Sequence, residues 1–156
     1  APAFALSSAT LAAKGSEEGK VSDMGEAKIV FNVTAQGGDI YLPTIGNATG
    51  QIVTAIYRGG KNVDSDFESD NSSSTAWTCS NVTEDSSAET YRISSGATAT
   101  CEVNTNFTLD NSDEKGFYEV RIGTVPWATK NNFSDVVNQT WVVDNLKTGL
   151  TYLSSN

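Results

Sequence analysis

At 156 residues the chain is long enough to bury one substantial core and short of what two cores need. Nineteen Asp and Glu against ten Lys and Arg give a net charge of −9, which repels polyanions and argues against nucleic acid as a partner. With no histidine, a His-based triad and His-ligated zinc are both excluded, and no run of about 18 apolar residues offers a span for membrane insertion.

The chain begins Ala1-Pro2 without an initiator Met, as it would after removal of a secretory leader, so it reads as secreted, extracellular or cell-surface. Residues 1–14 form an N-terminal strand: small, partly apolar and uncharged until Lys14. Phe4 and Leu6 share one face of that strand, and Leu11 follows after a change of phase. Leu6 to Lys14 is Ala-rich but too short to stand alone as a helix. A segment this apolar is expected to complete a sheet, either in its own sandwich or in a neighbouring subunit. Residues 15–26 carry three Gly and four carboxylates and read as an acidic linker. Residues 27–156 read as one β-sandwich domain.

Within that domain two-residue alternation recurs between turn signals. Ile29, Phe31 and Val33 point one way, Lys28, Asn32 and Thr34 the other. Ile40 to Pro43 follows Gly37-Gly38, and the run Gln51 to Arg58 ends at Gly59-Gly60. Residues 97–109 place Ala97, Ala99, Cys101, Val103, Phe107 and Leu109 on one face, and Gly116 to Thr124 turns Tyr118, Val120 and Ile122 inward. The polar turn Asp110 to Gly116 suggests that these two long strands form a hairpin. Short strands are expected at 76–80, 89–94, 140–144 and 150–153. The fold class is therefore all-β: an immunoglobulin-like antiparallel sandwich with an N-terminal extension strand.

Few constellations could carry chemistry. Cys79 and Cys101, an even pair in a secreted chain, are expected to form a disulfide beside Trp77, although their spacing is narrower than in antibody domains. Asp64, Asp66, Glu68 and Asp70 alternate like the opening of a calcium loop, but Ser69 and Thr75 stand where Gly and a bidentate Glu are needed. With Asp110, Asp113 and Glu114 they are candidates for a structural Ca²⁺; the competing reading is a solvated acidic loop. No other cofactor is implied. Seven Asn-x-Ser/Thr sequons occur, at Asn32, Asn47, Asn71, Asn81, Asn106, Asn132 and Asn138, as candidates for N-glycosylation. No Gly-x-Ser-x-Gly elbow or phosphate-cradling loop appears, and the chain is not expected to be an enzyme.

With Phe31-Asn-Val-Thr-Ala-Gln-Gly-Gly-Asp-Ile-Tyr-Leu-Pro43 and Gly116-Phe-Tyr-Glu-Val-Arg-Ile122 in place, the chain resembles surface β-sandwich proteins of prokaryotes. In plan it is similar to donor-strand-assembled pilus and thread subunits: a strand, a linker, then an immunoglobulin-like body. The resemblance implies a homopolymer of identical subunits, with Phe4, Leu6 and Leu11 as donor residues, serving attachment or contact with other cells or surfaces. The alternative is a monomeric adhesin or carbohydrate-binding module using Trp127, Trp141 or Tyr152.

Overall fold

The computed structural model describes residues 1–15, 23–67, 73–110, 112–140 and 143–155. In chain order the strands are β1 (Ala3–Lys14), β2 (Met24–Thr34), β3 (Ile40–Pro43), β4 (Val53–Arg58), β5 (Lys61–Asn62), β6 (Ser73–Ser80), β7 (Thr83–Asp85), β8 (Thr90–Ile93), β9 (Thr98–Thr108), β10 (Gly116–Trp127), β11 (Val137–Gln139) and β12 (Thr151–Leu153). The helical content among the described residues is three 3₁₀ turns, at Asp64–Phe67, Ser112–Glu114 and Val143–Asn145. β2 starts at Met24, so residues 24–26, which the sequence assigned to the linker, belong to a strand. In the region 140–144, residues 141–142 lie outside the described set; β11 ends before it, at Gln139, and Val143 opens a 3₁₀ turn.

All strand pairs are antiparallel. One sheet has the order β1-β2-β9-β6, a second has β11-β10-β4-β5 with β12 also on β10, and a small third has β3-β8-β7. Tyr41 and Ala128 exchange backbone hydrogen bonds of 2.8 and 2.9 Å, which ties the third sheet to the end of β10. The Gly59-Gly60 pair closes the two-residue turn from β4 to β5 with φ of 59° and 82°, a conformation that would strain any side chain. Gly25 answers a different demand: a Cβ there would stand 2.5 Å from the Phe107 ring.

The alternating residues meet in one core. Ile29, Phe31, Val33, Cys101, Val103 and Phe107 come from the first sheet, and Ile56, Tyr118, Val120 and Ile122 from the second. Phe67, Phe107 and Tyr118 pack ring against ring, with centroids 5.3 to 6.4 Å apart. The expected hairpin of residues 97–109 with 116–124 does not form. β9 belongs to the first sheet and β10 to the second, so the turn between them arches across the core. Alternation states which face of a strand is buried; it is silent about which strand lies beside it.

Candidate functional site

β1 is an edge strand of twelve residues, paired with β2 of its own chain through eleven register partners from Ala3↔Thr34 to Lys14↔Met24. The register shifts between Leu6 and Ser8, a bulge at Ser7 that produces the phase change seen in the sequence. On one side of the bulge Phe4 and Leu6 pair with Val33 and Phe31; on the other, Ala9 and Leu11 pair with Ile29 and Ala27. All four therefore share the face that β2 buries. Their burial differs. Leu11 is buried, Phe4 is half-buried with its ring 6.5 Å from that of Phe31, and Leu6 is 46% exposed. The Thr151 hydroxyl of β12 donates to the Leu11 carbonyl at 2.8 Å, which covers the Leu11 end of the strand and not the Phe4–Leu6 end.

Cys79 and Cys101 form the expected disulfide. They are register partners on β6 and β9, so the bridge joins two neighbours within one sheet. Trp77, also on β6, is buried, and its indole N–H donates to the Pro43 carbonyl at 2.9 Å, pinning β3 beneath the sheet. No helix among the described residues is long and apolar enough to cross a membrane, and a disulfide suits an oxidising compartment.

Among the described residues no group of three or more carboxylates lies close enough to hold a metal; Glu68 and Asp70 fall outside that set. Asp64 accepts the Ile56 N–H at 2.6 Å, and Asp66 pairs with Arg58 at 3.5 Å. The same Arg58 Nη1 reaches the Glu114 carbonyl at 3.4 Å and the Tyr118 hydroxyl at 3.0 Å. Arg58 thus reaches both acidic turns. Arg58 came from a run read only as a strand; its position opposite Tyr118 in the β4–β10 register brings it there.

The sequons divide by geometry. Asn47 is buried: its amide donates to the Glu89 carbonyl at 2.8 Å, and its oxygen accepts the N–H groups of Thr49 and Gly50 at 2.9 and 3.2 Å. That side chain is a buried brace of the turn. Asn81 is exposed with its amide bonded to the Thr98 carbonyl at 2.7 Å, and Asn32 is half-buried on the outer face, accepting from Thr100. Asn106, Asn132 and Asn138 are exposed, and Asn71 lies outside the described residues.

Of the aromatics named as a binding platform, Trp141 lies outside the described residues. Trp127 is half-buried against the core, and Tyr152 is exposed. Trp127 ends β10 and Tyr152 pairs with Phe117 at its start, so the two stand at opposite ends of that strand and do not share a surface. Tyr152 instead stacks edge to face on exposed Phe117, centroids 5.2 Å apart, a pairing the sequence reading did not raise. Comparison with protein-family models, with curated proteins and with solved structures returned no match. Fold and site together define an all-β antiparallel domain, stapled by a cross-strand disulfide and opened by a long edge strand.

Proposed function

We propose that this chain is a non-catalytic structural subunit of an extracellular filament or pilus-like surface assembly, whose copies join when β1 of one lies on β2 of the next. The observation that carries the reading is the seat of β1. Eleven register partners come from β2 alone, so an identical strand from another copy satisfies the same hydrogen bonds and fills the same places for Phe4, Ala9 and Leu11. The connection to β2 is Gly-containing and acidic, a composition suited to reaching across. Exchange in one direction gives a head-to-tail contact that does not close and so propagates as a fibre.

We read the body as immunoglobulin-like. β1, β2, β9 and β6 follow the order A-B-E-D, and β11, β10, β4 and β5 the order G-F-C-C′, with β3, β7 and β8 as additions. The Tyr118 hydroxyl, at the start of F, donates back to the Glu114 carbonyl as in a tyrosine corner. Secretion, N-glycosylation at the exposed sequons and a role in adhesion belong to the same reading.

The test compares the full chain with a variant lacking residues 1–14 and with Ala12→Cys/Glu26→Cys, whose register partners staple β1 to β2. Negative-stain microscopy should show fibres for the full chain and monomers for the truncation. Oxidising the staple before assembly should leave every chain a single band in non-reducing gels, and oxidising it afterwards should give a covalent ladder. A single band after oxidation of the assembled fibres would remove strand exchange as the joint. A second reading, glycan binding, is favoured by the exposed Phe117–Tyr152 pair; it requires that Tyr152→Ala abolish binding to a glycan array while leaving assembly intact.

A further inference from the structure

We infer that copies of this chain also meet edge to edge through the four-stranded sheet, β6 of one copy against β1 of the next. The inference rests on the reading of the chain as an assembly subunit, but not on strand exchange: the edge is the same whether the β1 seated on β2 is the copy's own or a neighbour's. β1 and β6 each pair with one strand among those described, so each presents a row of backbone groups on its other side. Edge strands of soluble proteins are ordinarily blunted by charge, proline or brevity. Here β6 has eight residues and no charge, and β1 has twelve with one charge, Lys14, at its end; the bulge at Ser7 is the one interruption.

The sheet is also electrically neutral in a chain of net charge −9. Its four strands carry two lysines and two glutamates, paired across strands as Lys14–Glu26 and Lys28–Glu102, both at 2.8 Å. Copies that approach through this sheet avoid the repulsion that the remaining surface imposes. The geometry then selects the partner edge. Four strands alternating in direction leave β1 and β6 antiparallel to one another, so a copy moved sideways without being turned over sets its β1 antiparallel to β6 and continues the alternation. That contact is heterologous and open-ended. Side-chain bonds occupy one end of each edge: the Leu11 carbonyl receives Thr151, and the Tyr91 hydroxyl bonds the backbone of Cys79. The pairing stretches left are Ala3 to Thr10 and Ser73 to Thr78, and a copy standing level with its neighbour sets Ser8 opposite Thr78 and Thr10 opposite Ala76.

The experiment places charges on exposed outward positions of both edges in the full chain. Ser8→Lys/Thr10→Lys on β1 combined with Ala76→Lys/Thr78→Lys on β6 should lower the assembled fraction, read by sedimentation, at least tenfold. The same β1 lysines combined with Ala76→Glu/Thr78→Glu should restore it. Melting temperatures measured on dissociated material report whether each variant folds; if the lysine set does not, single substitutions Thr10→Lys and Thr78→Lys, with Thr78→Glu as the rescue, carry the test. Equal assembly of the two charge combinations, or loss in both despite folded monomers, overturns the inference. The Ala12→Cys/Glu26→Cys staple separates the two joints, since edge pairing survives it and strand exchange does not. A chain that never assembles overturns both.

Discussion

Leu6 and Phe31 stand side by side in the β1–β2 register, yet they differ in what they bury. Phe31 is fully enclosed and Leu6 is 46% exposed, because the sandwich opposite β1 closes over Leu11 and not over Leu6. Phe31→Ala should therefore cost about 3–5 kcal/mol, whereas Leu6→Ala should change monomer stability by no more than about 0.5 kcal/mol. Urea unfolding of the two variants checks the contrast, and a large loss at Leu6 would mean that its face is covered. Asn47 presents the same lesson in polar form. A sequon by its letters, it is buried by its bonds, and Asn47→Ala should cost about 1–3 kcal/mol by orphaning two N–H groups and removing one of the two donors to the Glu89 carbonyl. In material from a glycosylating host, peptide mapping should find Asn47 bare while Asn106, Asn132 or Asn138 carries sugar.

At the scale of elements, β7 and β8 are held to the loop after β10 by one carboxylate. Asp85 accepts from the Asn131 amide at 2.9 Å and from the N–H groups of Ser87 and Ala88, both at 3.0 Å, and the Asn131 oxygen in turn accepts from Thr90. The Asn131 bond first, then the Ala88 N–H and the Ser87 hydroxyl, hold the Asp85 carboxyl well below its ordinary value of 3.8. Asp135 in the same loop is lowered too, chiefly by the Thr129 hydroxyl. Both folded-state values lie below the unfolded ones, so the stabilisation is complete above the unfolded pKa and is lost as pH falls towards the folded values. Thermal melting should be level from neutral pH to about pH 5 and decline below about pH 4. Asp85→Asn should lower the neutral plateau and flatten the acid slope; an unchanged slope would assign acid sensitivity to other groups. The disulfide acts on a different element pair, closing a separation of 22 residues between β6 and β9. Reducing it should cost roughly 3 kcal/mol by chain entropy, seen as a lower urea midpoint.

For the whole molecule, the distribution of charge matters more than its sum. In the proposed assembly, a neutral sheet inside a chain of net charge −9 lets copies that repel at a distance meet without repulsion at that sheet's edges. Assembly should quicken as salt rises from about 10 mM to 150 mM, as the screening length shrinks from about 30 to 8 Å, with light scattering as the measurement; slower assembly in salt would point to a joint held by opposite charges. Much of this molecule was legible from residue order alone. The inward faces of β2, β9 and β10, the bulge phase in β1 and the pairing of two cysteines follow from period-2 alternation and parity, which are local properties of the chain. What the chain could not state was neighbourhood. That β9 and β10 part into different sheets, that Arg58 reaches both acidic turns, and that Asn47 is a brace were decided in three dimensions. Alternation constrains a side chain's direction, whereas strand partners and ion pairs depend on residues tens of positions away, which only the packed sheets bring within bonding distance.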